Sequence, residues 1–224
     1  MFAARPIQTN ALTKVADLAK RLKQPWTDTP KVSGPEVNVA KALEADRAHY
    51  RTGCHTFHDY RVQPDAFRHL ARLPSVGETM HGIISGRYAL YELVPATLAR
   101  ISPATITDLY LATLSFSERN ATDLLRLIDD GHVQKVTLIV SHYFKAQNES
   151  IYNSLVPPLL SRGHRCLAMR THCKITLMET SVGEKYTVES SANLQSCKNI
   201  EQFSLTSDDA LHDFHRGWME ELFK

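Results

Sequence analysis

The chain is short of cysteine, of long apolar runs and of net charge, and each shortage removes a class of protein. Four cysteines stand among 224 residues: Cys54, Cys166, Cys173 and Cys197. None forms a Cys-x-x-Cys pair. This scatter excludes a disulfide-stapled scaffold and a thiolate zinc site. The thiols read as reduced and mostly buried, in a cytoplasmic protein. No apolar run approaches the ~20 residues that span a bilayer. The stretch 10–24 carries Lys14, Asp17, Lys20, Arg21 and Lys23 among its apolar residues. Neither a secretory leader nor a membrane anchor is therefore expected. A formal net charge of +2 and a pI near 8.3 neither demand nor exclude nucleic acid. There is no internal repeat and no low-complexity segment.

What is present suits one domain with an appendage, since 43% of the residues are hydrophobic. The spacing predicts a helix over 11–23, capped by Asn10, with Leu12, Val15, Leu18 and Leu22 as its stripe. A second helix is expected over 36–50. Residues 51–76 read as irregular, with a short helical piece near 65–73. Cys54, His55 and His58 are possible metal ligands there. No second cluster of suitable spacing follows, so that segment reads as a surface loop, and no metal or cofactor is expected.

From residue 107 the pattern alternates. Strand 107–115 is followed by helix 117–130, closed by Gly131, and by strand 133–140. A helix over 148–162 contains Pro157 and Pro158, which should break or kink it. Strands follow at 166–169, 175–178, 186–190 and 200–205. Ser207 or Asp208 caps a last helix, with Leu211, Phe214, Trp218 and Leu222 on one face. Strands alternating with helices predict an α/β fold, a mostly parallel or mixed sheet flanked by helices. This domain is expected over 81–224, with 1–80 as a helical N-terminal extension.

The chemistry concentrates in Thr171-His172-Cys173-Lys174-Ile175-Thr176-Leu177-Met178-Glu179. Read as a strand, this segment sends His172 and Lys174 to one face and Cys173, Ile175 and Leu177 to the core. An imidazole beside an ammonium is a poor core element. It suits a phosphate: the ammonium binds its oxygens and a bare ring nitrogen can attack. Downstream, Ser191 and Asn193 offer short hydrogen-bonding groups at the end of a second strand. Glu201 offers a carboxylate that can fix an imidazole tautomer. Ligands collect at the carboxyl ends of parallel strands, so Ser117 and His142, at two other strand ends, are candidate substrate contacts.

This order of residues resembles the phospholipase D superfamily. The family pattern is His-x-Lys, four residues, Asp, then Gly-Ser-x-Asn, then a later Glu. His172 and Lys174 match it, as do Ser191, Asn193 and Glu201. Glu179 stands for the Asp and Ser190 for the Gly. Gly183 suggests a hairpin turn in the longer spacing between Glu179 and Ser190. The resemblance covers roughly the second half of the chain. It implies a phospholipase D-like half-domain and a metal-independent phosphodiesterase, with His172 as nucleophile and as acid/base. Lys174 and Asn193 would hold phosphate oxygens, Ser191 would position the turn or an oxygen, and Glu201 would orient His172. It also implies that two motifs form one site. Only one His-x-Lys is present, so the resemblance implies a homodimer. Single-motif members are often nucleases, which makes DNA or RNA the expected substrate. A non-catalytic phosphate-backbone binding module and a phospholipase or phosphatidyl transferase are the alternatives.

Overall fold

A computed structural model describes residues 53–59, 65–85, 88–195 and 198–224. The helices expected over 11–23 and 36–50 lie outside these residues, as does Cys197. The described elements are β1 (Cys54–Asp59), α1 (Ala66–His69), β2 (Glu78–Ile84), a short 3-10 turn, and α2 (Leu93–Ile101). Then come β3 (Ile106–Thr113), α3 (Glu118–Asp129), β4 (Val133–Ser141), α4 (His142–Gln147), α5 (Glu149–Ser161) and β5 (Arg165–Met169). The chain closes with β6 (Ile175–Thr180), β7 (Lys185–Ser190), β8 (Glu201–Thr206) and α6 (Asp209–Glu221).

All eight strands form one mixed sheet in the order β1-β2-β8-β7-β6-β3-β4-β5. β3, β4 and β5 run parallel, as do β1 and β2, and every other pairing is antiparallel. The fold class is thus α/β with helices against the sheet. Gly183, at φ +85°, turns the β6–β7 hairpin in the left-handed region where a side chain would be strained. The segment read as an irregular loop near Cys54 is strand β1. The boundary drawn between residues 80 and 81 falls inside β2, and the strands on both sides of it pair in the same sheet.

The main core lies on one face. Leu109 and Leu111 of β3, Val136 and Leu138 of β4, Met178 of β6 and Val188 of β7 meet Leu124 of α3 and Leu155 and Leu159 of α5. α5 runs unbroken through Pro157 and Pro158. Their missing N–H groups free the carbonyls of Asn153 and Ser154. Both residues are exposed, so water can satisfy those carbonyls, while Leu155, Val156 and Leu159 stay packed.

The other face carries α6, and here, of the apolar stripe read from the sequence, only Leu222 is buried. The buried residues of α6 are His212, His215 and Met219; Leu211, Phe214 and Trp218 are half-buried. The reason is the sheet beneath, which presents Glu179, Lys185 and Glu189. Lys185 pairs with Asp213 at 2.8 Å, Arg216 with Glu179 at 3.2 Å, and His215 with Glu189 at 3.1 Å. Arg165 of β5 grips Glu220, which also accepts from the Tyr110 hydroxyl at 2.5 Å.

That grip gives a testable pH dependence. The Arg165 guanidinium lowers the Glu220 carboxyl from 4.5 to about 2. A depressed folded-state value stabilises the fold above the unfolded-state value and is lost as pH falls through the folded one. Wild type should therefore melt above the Glu220→Gln variant at pH 7. The gap should close between about pH 5 and pH 2 in thermal melts.

A candidate active site at one edge of the sheet

Antiparallel pairing gathers the distant motif segments. β6 opposes β3 with Ile175 beside Ala112, and β7 opposes β6 with Glu189 beside Ile175. β8 opposes β7 with Phe203 beside Ser190. The starts of β6 and β8 therefore lie at the same sheet edge as the ends of β3, β4 and β7. His172, Lys174, Ser191, Asn193, Glu201, Ser117 and His142 all stand along that edge.

The strand carrying the His-x-Lys pair begins only at Ile175, and 171–174 is extended but unpaired in regular structure. Cys173 is exposed, not in the core, and so is Cys54. Both were expected among the buried thiols. Strict alternation also fails within β6, where Thr176, Leu177 and Met178 are all buried. Helices cover this part of the sheet on both faces, so inward and outward positions are alike buried.

Two contacts tie His172 to Lys174. Lys174 Nζ lies 3.1 Å from His172 Nδ1 and donates to the His172 carbonyl at 3.0 Å. An ammonium has only donors. Against an ammonium, Nδ1 is the acceptor, which leaves the single proton of an uncharged ring on Nε2. Burial pulls the Lys174 ammonium below its ordinary value, while Cys173 and Glu201 oppose that shift.

The second strand end is tightly wired. Ser190 N–H donates to the Lys174 carbonyl at 3.1 Å, which joins the two motif segments directly. The Ser190 hydroxyl donates to Gln202 O at 2.7 Å and accepts from Ala192 N–H at 2.8 Å. The serine that replaces the family's glycine thus has both roles filled by the turn. Ser191 donates its hydroxyl to the Glu201 carboxylate and accepts from Gln202 N–H at 3.1 Å. Glu201 was expected to orient His172. The carboxylate instead takes the Ser191 hydroxyl, and the His172 ring meets Lys174.

Asn193 is half-buried, with its Oδ1 enclosed and without a hydrogen-bond partner among the described residues. Its neighbour Leu194 is fastened to β3 and α3. Leu194 N–H donates to Thr113 Oγ1 at 3.2 Å, and its carbonyl accepts from Asn120 Nδ2 at 3.0 Å. The Ser115 hydroxyl, at the same strand end, is also buried without a partner. Ser117 caps α3 by accepting from Asn120 N–H at 3.3 Å. His142 is exposed at the first position of α4. Its strand β4 is two places from β6, or about 10 Å at the usual strand spacing. Glu179 sits at the far end of β6, paired with Arg216.

Sequence reasoning missed one polar unit behind this edge. The Trp218 indole N–H donates to His215 Nδ1 at 3.1 Å, so His215 presents its Nε2 proton to Glu189 at 3.1 Å. That hydrogen bond holds the Glu189 carboxyl below the usual range. The His215-to-Trp218 spacing puts both on one helix face, a signal that was read as an apolar stripe. Among the described residues, no three His, Cys, Asp or Glu side chains gather so as to hold a metal ion. No helix among them is long and apolar enough to cross a membrane.

No family model matches the chain, and no curated protein matches it in sequence. Solved structures do resemble it. A polyphosphate kinase from Porphyromonas gingivalis aligns over 70% of this chain with TM-score 0.50 and 17% identity; this chain spans 29% of that one. Nuc from Salmonella typhimurium, a phospholipase D family member, aligns over 64% of this chain and 92% of its own, with TM-score 0.45 and 14% identity. A yeast tyrosyl-DNA phosphodiesterase aligns over 45% of this chain and 25% of its own, with TM-score 0.33 and 14% identity. At these identities the likeness is one of fold.

Thr113 is the fastener of the Asn193 turn. It is fully buried, donates to Ser115 O at 3.0 Å and accepts from Leu194 N–H. Thr113→Val strands both backbone groups. Urea unfolding should show a loss of about 1–3 kcal/mol. Any hydrolytic activity should fall further than stability alone requires, because Asn193 loses its anchor.

Proposed function

We propose that the chain is a phosphodiesterase acting on DNA or RNA through a phospho-histidine, at a site completed by a second copy of itself. One observation carries this reading: His172 Nδ1 lies 3.1 Å from Lys174 Nζ, and the Lys174 carbonyl accepts from Ser190 N–H in the turn that bears Ser191 and Asn193. Histidine and lysine so placed serve attack and charge neutralisation at a tetrahedral anion.

The acid is His172 of one copy with both ring nitrogens protonated, and giving its Nε2 proton to the leaving oxygen returns it to the neutral imidazole. The attacking His172 needs a bare Nε2. An incoming phosphate supplies the trigger, because it draws the Lys174 ammonium away from Nδ1 and lets Nδ1 hold the proton instead. Nε2 then attacks phosphorus: an N–P bond forms, the P–O bond breaks, and the departing alkoxide takes the proton from the second His172. That second imidazole removes a proton from water, the water oxygen bonds to phosphorus, and the N–P bond breaks. Lys174 and Asn193 from both copies meet the non-bridging oxygens as charge builds. We place the activity in the cytoplasm, where reduced cysteines persist.

One observation favours the alternative of a binding module: the Glu201 carboxylate takes the Ser191 hydroxyl. Turnover decides. Hydrolysis of a small aryl phosphodiester should survive excess EDTA, and light scattering should give about twice the 25.3 kDa chain mass. His172→Ala should lower turnover on the order of 10⁴-fold, the size expected for a group acting in both steps. Lys174→Ala should weaken binding and rate together, since its charge serves ground and transition state alike. Acid-sensitive phosphate should be trapped on His172. A monomer with full activity, or label on a serine or aspartate, contradicts the mechanism. Phosphate binding without turnover in wild type establishes the binding module.

A further inference from the structure

We infer that the open half of the sheet face beside α6 is a stacking surface for unpaired nucleotide bases that leads to the catalytic edge. The inference rests on the nuclease reading and narrows its substrate to single strands.

α6 packs on β6 and β7. The same face continues across β8, β2 and β1. Register places Ser204 beside Glu189, His81 beside Ser204, and Phe57 beside His81. Thr79, Ile83, Gln202 and His55 share this face, two residues along their strands. The rings form a ladder. His81 stacks on His55 at 5.3 Å and 26°, and on Phe57 at 5.2 Å and 15°. His55 Nδ1 and His81 Nε2 lie 3.1 Å apart. Phe57 is 76% exposed and Ile83 41%.

Each feature suits a base and not a core. The rings are already near-parallel on a rigid sheet, and Phe57, on the edge strand of the ladder, is largely exposed. Burial and the neighbouring His55 push His81 below its ordinary value, which favours the uncharged ring there. Thr79, His81, Ile83, Gln202 and Ser204 place no carboxylate on the β2 and β8 part of this face, and Glu189 at its border is engaged by His215. Bases stack on aromatic faces only when they are unpaired, and stacking tolerates any sequence. The chemistry recognises a single-stranded oligonucleotide.

The test uses the full chain carrying His172→Ala, so that the probe is not consumed, and fluorescence anisotropy with labelled oligothymidylate. Adding Phe57→Ala should weaken binding about 5- to 150-fold, the effect of losing one base–aromatic stack. Phe57→Trp should bind at least as well as the parent. Binding of a duplex should not change. In the otherwise wild-type chain, Phe57→Ala should leave hydrolysis of a small aryl phosphodiester unaltered while slowing oligonucleotide cleavage. Oligonucleotide binding that ignores Phe57, or is absent altogether, overturns the platform; if His172-dependent cleavage persists, the nuclease reading survives. Phe57-dependent binding with no cleavage of either substrate keeps the platform and removes the nuclease reading. A Phe57→Ala chain that turns monomeric with its oligonucleotide affinity intact assigns the face to a second copy and overturns the inference.

Discussion

The hydrogen bond from Ser190 N–H to the Lys174 carbonyl is the constraint on which the site depends. It is the last rung of the β6–β7 hairpin. One side of that rung carries the His-x-Lys pair and the other opens the Ser-Ser-Ala-Asn turn. The turn is then tied to β8 through Gln202 and to β3 through Thr113. Four neighbouring strands, β8, β7, β6 and β3, thus bracket the site, whose residues stand just beyond the strand ends.

The same hairpin has a polar outer face, which explains the packing of α6. Glu179, Lys185 and Glu189 lie along it and select Arg216, Asp213 and His215 from the helix. The exposed pairs add little stability each. Their value is register: the charges set where α6 sits, and Glu189, next to Ser190, is held in place by His215. Glu179 has a clear use in this arrangement. It anchors the far end of β6 to α6 through Arg216.

Much of this was legible in the sequence. The β-branched runs at 106–113 and 133–141 and the capped helix between them followed from periodicity and from Ser117. The site edge followed from the order of His172, Lys174, Ser191, Asn193 and Glu201. What was not legible has specific causes. β1 is polar and rich in His, and β2 pairs on its other side with β8 from the far end of the domain, so no local pattern marks them. The face of α6 was misread because its partner surface is charged, and a helix stripe chosen by hydrophobicity cannot anticipate that. α5 kept its two prolines because the freed carbonyls face water. The use of the Glu201 carboxylate by Ser191 depended on a turn geometry that spacing alone does not specify.

The central claim is that phosphate takes Lys174 away from His172 and so changes which ring nitrogen is bare. Side-chain ¹⁵N spectra of His172, recorded as inorganic phosphate is added at constant pH, test this most directly. The account predicts that His172 Nδ1 begins as a bare acceptor and acquires proton character as phosphate binds, while Nε2 loses it, and that Lys174→Ala abolishes the response. Phosphate binding that leaves both ring nitrogens of His172 unchanged would contradict the account.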